Sequence, residues 1–125
     1  MISPYVTYHG TCEEAFNFYV ESFGGGTTEF TRLNNNPDNP IMHAKVMLAK
    51  CDGCIMGADV DHPVEISGLA ICVVLPSRED IEEISVKLAK GGTLVQSFIP
   101  HPAPHEHDGG ATVIDKFGFT WYLST

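Results

Sequence analysis

The sequence predicts an α+β fold built from two tandem βαβββ modules, because the signals that begin and end a helix occur twice. Thr11 to Glu14 is typical of a helix start, and Ser77 to Asp80 has the same form 66 positions later. Each predicted helix is followed by two glycines and a threonine, first at Gly25 to Thr27 and again at Gly91 to Thr93. Since start, end and exit keep one offset, we interpret the chain as a duplicated unit.

Length and composition limit the class of protein. The chain has 125 residues and is 43% hydrophobic, which is typical of one globular domain. We expect a single domain over 1–125, made of repeated modules at 1–60 and 68–125. A net charge of −9 disfavours nucleic acid as a partner. No apolar run approaches the ~20 residues that span a bilayer, and the start lacks the pattern of a signal peptide. We therefore expect a cytoplasmic protein that binds no membrane.

The first module contains four predicted strands and one helix. The strands cover 4–9, 27–33, 41–49 and 55–60. The helix carries one apolar stripe that faces a sheet, consisting of Cys12, Ala15, Phe16, Tyr19 and Phe23. Thr11 and Glu14 are predicted to form a capping box at its start. The polar stretch 34–40 is a loop, and the last two strands form a hairpin around the two-residue turn Asp52-Gly53.

The second module repeats this order. Its predicted strands cover 68–75, 93–99, 111–114 and 119–123, and its helix covers 77–90 with Ile81, Ile84 and Leu88 facing inward. An irregular loop at 100–108 follows the second strand, as the loop 34–40 does in the first module. The positions of the two loops support the duplication.

The four cysteines are expected to be reduced thiols. Cys51 and Cys54 form a C-x-x-C pair, which suggests a zinc half-site or a redox pair. A zinc site requires a second pair, whereas Cys12 and Cys72 are isolated. The alternative is that Cys51 and Cys54 simply close the hairpin turn.

Six segments together identify a known superfamily: Pro4–Tyr8, Glu14–Tyr19, Phe23–Gly25, Ile41–Ala44, Ile55–Asp59 and Asp115–Gly118. They resemble the vicinal oxygen chelate superfamily, which includes glyoxalase I, bleomycin-resistance proteins and extradiol dioxygenases, and within it the PhnB-like branch. The resemblance implies paired modules that each curl into half of an open barrel, as in glyoxalase/bleomycin-resistance-like proteins, and usually a homodimer. It implies no particular reaction, since one fold carries many functions.

The resemblance also indicates where a metal would bind. In metal-using relatives the ligands come from the first and last strands of each module, which here places them near Pro4, Met56, Ala70 and Tyr122. Because proline and alanine donate no side-chain ligand and methionine is too soft for Mg²⁺ or Mn²⁺, no metal is expected. No nucleotide or S-adenosylmethionine motif is visible, so we expect no cofactor.

Counting outward from the hairpin turn predicts a ligand-binding face. Met56 is predicted to pair with Ala49, so that His43, Lys45 and Met47 share its face, while Met42, Ala44, Val46 and Leu48 pack under the helix. The same alternation directs these residues inward: Val6, Tyr8, Cys72, Thr120 and Tyr122. The predicted ligand-binding residues are Tyr8, His43, Lys45, Met47, Met56, Cys72 and Tyr122.

Two histidine hypotheses remain open. His43 is a candidate catalytic acid or base, and the alternative is that it hydrogen-bonds backbone at a sheet edge. His101, His105 and His107 lie in the proline-rich loop with Glu106 and Asp108, where they either bind a metal or are solvated.

Three functions follow from these residues. The first is a metal-independent small-molecule-binding protein of the glyoxalase/bleomycin-resistance type with an unknown ligand. The second is an enzyme that uses His43 on a small metabolite. The third is a metal-dependent lyase or dioxygenase with ligands displaced into the loop that holds His101, His105 and His107.

Overall fold

The computed structural model describes residues 1–125, and it divides into two compact units, Met1–Glu65 and Ile66–Thr125. Each unit contains one helix and one four-stranded sheet, which confirms the predicted α+β fold with tandem βαβββ modules. Neither helix is long and apolar enough to cross a membrane.

The first unit has its strands in the spatial order β1-β4-β3-β2. Its elements are β1 (Tyr5–Tyr8), α1 (Cys12–Ser22), β2 (Gly26–Arg32), β3 (Ile41–Leu48) and β4 (Ile55–Asp59). The predicted stripe of α1 is confirmed, since all five of its side chains are buried. A short 3₁₀ turn, Leu33–Asn35, lies in the loop between β2 and β3.

The second unit has the corresponding order β5-β8-β7-β6. Its elements are β5 (Ala70–Val74), α2 (Arg78–Leu88), β6 (Thr93–Pro100), β7 (Gly109–Ile114) and β8 (Thr120–Ser124). Ile81, Ile84 and Leu88 of α2 are buried as predicted. Trp121 is also fully buried, and its indole Nε1 donates to the buried carboxylate of Asp115 at 2.9 Å.

The two helices begin in different ways. Ser77 accepts a hydrogen bond from the backbone N–H of Asp80 at 3.1 Å, which is an ordinary N-cap. The predicted capping box of α1 is wrong, because the Thr11 side chain makes no capping hydrogen bond. Instead Asp59, at the end of β4, accepts from the backbone N–H of Cys12 at 3.0 Å. The same carboxylate accepts from the N–H of Ile41 at 3.2 Å, so Asp59 links β4, α1 and β3.

The hairpin between β3 and β4 differs from the prediction. Met56 pairs with Lys45, not with Ala49, and the last pair before the turn is Val46 with Ile55. The connection is therefore longer than the two-residue turn expected at Asp52-Gly53. Leu48 and its neighbour Met47 no longer pair with β4, although both still pair with β2.

One predicted core residue of β3 is also misplaced. Met42 is 52% exposed, whereas Ile41 is buried. The register between β2 and β3 shifts here, since Thr31 pairs with His43 and the next residue, Arg32, pairs with Ile41. This β-bulge leaves Met42 as the extra residue, which removes it from the side that packs under α1.

Candidate ligand-binding face of the first unit

The two faces of β3 differ in chemistry. Ala44, Val46 and Leu48 are buried on the side that packs under α1. His43 and Met47 are exposed and Lys45 is half-buried, and all three point to the opposite side of the sheet. Met56 lies beside Lys45 in the register, so it belongs to that side as well.

Tyr8, a predicted ligand residue, lies on the wrong side of the sheet for that role. Its ring packs edge-on against Phe16 of α1 with centroids 6.1 Å apart, and its hydroxyl lies 2.9 Å from that of Tyr19. Val6 is likewise buried on the helix side. Both residues belong to the core, so the inward direction predicted for Val6 and Tyr8 is wrong.

Tyr5 occupies the place that the prediction gave to Tyr8. It pairs in register with Met56, it is 53% exposed, and its ring centroid lies 6.0 Å from that of His43. We name the side of the sheet opposite α1 the His43 face, and its side chains of interest are Tyr5, His43, Lys45, Met47 and Met56.

A difference in the connection between strand and helix explains why the sequence missed Tyr5. In the first unit His9 and Gly10 separate Tyr8 from Thr11, whereas in the second Pro76 alone separates Leu75 from Ser77. The helices keep the offset of 66, but the extra residue shifts β1 by one position. Because side chains alternate along a strand, a shift of one moves each of them to the other face.

The electrostatics of the His43 face centre on Lys45. No carboxylate lies within ion-pairing distance of its ammonium group, although Glu29 is its register neighbour on β2. Other cations do find partners, such as Arg78 with Glu82 at 2.7 Å and Lys87 with Glu83 at 3.1 Å. In a chain with a net charge of −9, a half-buried lysine without a carboxylate partner leaves positive charge available to an anion.

His43 lies in the open on this face. Its imidazole makes no hydrogen bond and β3 is an inner strand of the sheet, so the alternative in which the ring binds backbone at a sheet edge is wrong. It does not lie beneath α1, and its close neighbour is the ring of Tyr5. The imidazole is therefore accessible, but no carboxylate or carbonyl orients it.

The second unit has a comparable exposed face opposite α2. Cys72 pairs in register with Tyr122, and both are exposed, whereas their strand neighbours Ile71 and Trp121 are buried. Thr120 lies on the same side as Tyr122. Cys72, Thr120 and Tyr122 therefore lie on the side opposite α2, and their contact with a ligand stays a prediction.

The histidine loop does not form a metal centre. His101, His105 and His107 are all exposed, and the loop is closed by backbone hydrogen bonds, such as that from the N–H of His101 to the carbonyl oxygen of Asp108 at 2.8 Å. No group of three or more His, Cys, Asp or Glu side chains in the chain is placed to hold a metal ion.

Solved structures with similar folds cover nearly the whole chain. Protein PA1353 from Pseudomonas aeruginosa is 27% identical with a TM-score of 0.80, covering 98% of this chain and 95% of its own. A PhnB protein from Bacillus cereus is 23% identical with a TM-score of 0.74, covering 98% and 97%. A glyoxalase/bleomycin resistance protein/dioxygenase family enzyme from Burkholderia phytofirmans PsJN is 15% identical with a TM-score of 0.58, covering 96% and 94%.

The predicted fold is confirmed: the chain has the fold of a PhnB protein and of a glyoxalase/bleomycin resistance protein/dioxygenase family enzyme. No family model matches the chain. No curated protein matches its sequence.

The metal of the vicinal oxygen chelate enzymes does not fit these side chains. On the first and last strands, the neighbouring positions that face away from the helices are Tyr5 and Met56 in one unit and Cys72 and Tyr122 in the other. In the first unit these are a phenol and a thioether, and in the second they are a thiol and a phenol. Neither pair suits a hard divalent ion, which prefers carboxylate, carbonyl or water oxygens. Pro4 and Ala70, the positions predicted from the resemblance, offer no side-chain donor.

Proposed function

We propose that this chain is a metal-independent small-molecule-binding protein whose ligand contacts the His43 face. The observation that carries the proposal is the half-buried Lys45, which has no carboxylate partner and lies in register with Met56 and near an exposed Tyr5–His43 pair. Apolar and aromatic surface with a few polar groups is typical of small-molecule sites.

The side chains indicate the chemistry of the ligand. The ammonium group of Lys45 favours an anionic group, and the ring of Tyr5 with the thioethers of Met47 and Met56 favours an apolar or aromatic body. An aromatic or branched aliphatic acid combines these features. Cys72 and Tyr122, exposed in the second unit, are proposed as ligand-binding residues of that unit.

Binding is favoured over catalysis. A histidine that acts as general base is normally held by a hydrogen bond to a second group, and His43 has none. The donor set described above likewise gives no support to a metal-dependent lyase or dioxygenase. The sequestering proteins of the bleomycin-resistance type are therefore the best functional comparison.

We also propose that the two modules form one domain and that the protein is a cytoplasmic homodimer. The support for a dimer is the exposed edge of each sheet, since free strand edges favour pairing with another chain. The edge strand β6 exposes Leu94, Val95 and Ile99. Light scattering at micromolar concentration tests this, and a monomeric mass contradicts it.

The ligand proposal is tested by screening and then by matched variants. A library of aromatic and aliphatic acids, with their neutral amides, is screened against the full chain by thermal shift, with and without EDTA. We expect acids to stabilise the protein, their amides to do so less, and EDTA to change nothing.

For the best acid found, Lys45→Ala is expected to weaken binding about tenfold, which corresponds to about 1.4 kcal/mol. Lys90→Ala removes an equal charge from an exposed lysine just after α2 and should leave the affinity unchanged. Tyr5→Ala should weaken binding as well, whereas Tyr5→Phe should not. If Lys45→Ala and Tyr5→Ala bind like the wild type, the ligand does not use the His43 face. A requirement for added metal would contradict the metal-independent mechanism.

A further inference from the structure

Two cysteines, three positions apart, lie in the turn between β3 and β4. Cys51 and Cys54 are free thiols, separated by Asp52 and Gly53. The simple explanation, that they close a two-residue hairpin, does not hold, because strand pairing ends at Val46 and Ile55. Neither cysteine is therefore needed to pair the strands.

The backbone of this turn brings the chain back on itself. Lys50 has φ +69° and Gly53 has φ +90°, and these two left-handed residues enclose Cys51 and Asp52. A left-handed conformation is uncommon for a lysine, so Lys50 is held in this bend by the rest of the turn. A disulfide joins cysteines whose Cα atoms lie about 4.4–6.8 Å apart, and a bend between two residues three positions apart shortens their separation towards this range.

Both thiols have weak contacts and partial exposure. The thiol of Cys51 donates to the carbonyl oxygen of Leu48 at 3.6 Å. The sulfur of Cys54 lies 3.6 Å from the hydroxyl oxygen of Ser3, which itself donates to the Cys54 carbonyl oxygen at 2.7 Å. Both cysteines are half-buried, in contrast to Cys12, which is fully buried. Small reagents can reach the pair, and no strong hydrogen bond has to be broken.

We propose that Cys51 and Cys54 form a reversible disulfide by exchange with a low-molecular-weight disulfide such as oxidised glutathione. The thiolate of Cys54 attacks one sulfur of the reagent, which forms a mixed disulfide and releases one thiolate. The thiolate of Cys51 then attacks the Cys54 sulfur, which closes the internal disulfide and releases the second thiolate. The two protons lost by the cysteines go to the two released thiolates, and the reagent is reduced as the pair is oxidised.

Cys54 is assigned the first attack because of the environment of its partner. Burial raises the pKa of the Cys51 thiol, and the charge of Asp52 raises it further. Cys51 therefore ionises less readily at neutral pH and suits the second, intramolecular step, where proximity compensates for a small thiolate fraction. The exchange is expected to become faster as the pH rises above neutrality.

The proposal is tested on the full chain equilibrated in glutathione buffers of increasing oxidised fraction. Free thiols are then blocked by alkylation, and the intact and digested protein is analysed by mass spectrometry. We expect two of the four thiols to be lost together, with Cys51 and Cys54 joined in one peptide and recovered as thiols after dithiothreitol.

Single variants test the order of the two steps. In Cys51→Ser the reaction should stop at a glutathione adduct on Cys54, whereas Cys54→Ser should react much more slowly. Cys72→Ser is the matched control and should keep the internal disulfide. The proposal is overturned if Cys51 and Cys54 are each alkylated under every oxidised buffer, if they are found only as separate glutathione adducts, or if the disulfide joins two chains.

Discussion

Removal of the buried carboxylate of Asp115 is the strongest test of what holds the second unit together. Asp115 directly follows β7, begins the turn to β8 and is 2% exposed. One carboxylate oxygen accepts from the backbone N–H of Phe117 at 2.9 Å and from that of Phe119 at 3.0 Å. The other accepts from Trp121 Nε1 at 2.9 Å. A single side chain therefore holds the turn and orients the largest core residue.

The expected loss follows from these three hydrogen bonds. A hydrogen bond to a charged group contributes about 1.5–3 kcal/mol, and a buried donor left without its acceptor costs about 1–3 kcal/mol. Because the Phe119 N–H and the indole are buried while the Phe117 N–H is closer to solvent, we expect Asp115→Ala to lower the free energy of unfolding by about 3–5 kcal/mol. That is a large part of the about 5–15 kcal/mol available to a typical domain.

Urea denaturation measures this loss directly. Trp121 is the only tryptophan, so its fluorescence reports on the unfolding of the region that is changed. Asp115→Asn keeps the shape and one acceptor oxygen and should cost less than Asp115→Ala. Asp38→Ala removes an exposed aspartate from a loop and should stay within about 0.5 kcal/mol of the wild type.

Two results would refute this reasoning. The first is an Asp115→Ala variant within about 1 kcal/mol of the wild type. The second is a double-mutant cycle of Asp115→Asn and Trp121→Phe, followed by circular dichroism, that gives no coupling. Contacting residues that share a hydrogen bond should couple by about 0.5–3 kcal/mol.

Two further predictions concern the start of α1. Asp59→Ala should lower the free energy of unfolding by about 1–2 kcal/mol, since it removes the acceptor for the Cys12 N–H. Thr11→Ala should change it by less than about 0.5 kcal/mol, because the Thr11 side chain makes no capping hydrogen bond. Equal losses for the two variants in thermal unfolding would show that Thr11 is the cap. Burial, with the charge of Asp59, raises the pKa of Cys12 from 9.0 to about 12. Below pH 9 the thiol is neutral in both states; between pH 9 and 12 it ionises only when unfolded, so stability falls as the pH rises, by about 1.4 kcal/mol per unit. In urea titrations at pH 8–11, Cys12→Ala should remove this slope, and an unchanged slope would contradict the assignment.

The architecture was predictable because its signals are local. The helices follow from apolar periodicity and from caps within a few residues, and the stripe of α1 is buried as expected. The capping group of α1 was not predictable in the same way, since it is the carboxylate of Asp59, 47 residues after Cys12. A capping residue that is distant in the sequence leaves no recognisable motif next to the helix.

His43, Lys45 and Met47 were correctly predicted to share the side of Met56, although the hairpin register was wrong. The reason is that the register error is an even number of residues. Moving the partner of Met56 from Ala49 to Lys45 is a shift of four residues, an even number, so alternation still places His43, Lys45 and Met47 on its side. The error at Tyr8 is a shift of one, which reverses the face. One extra residue between β1 and α1 does not change the offset of 66 that is read from the helices.

The repeat also constrains which unit supplies charge to a ligand. Lys45 pairs with Met56 as Thr112 pairs with Tyr122, so Thr112 occupies in the second unit the place of Lys45 in the first. The counterpart of His43, two residues earlier on the strand, is Gly110. The second unit therefore keeps aromatic and thiol groups on its exposed face but has neither the ammonium nor the imidazole. The two units share a strand order, whereas Lys45 and His43 belong to the first unit, and under the proposed function we expect an anionic ligand group to bind there.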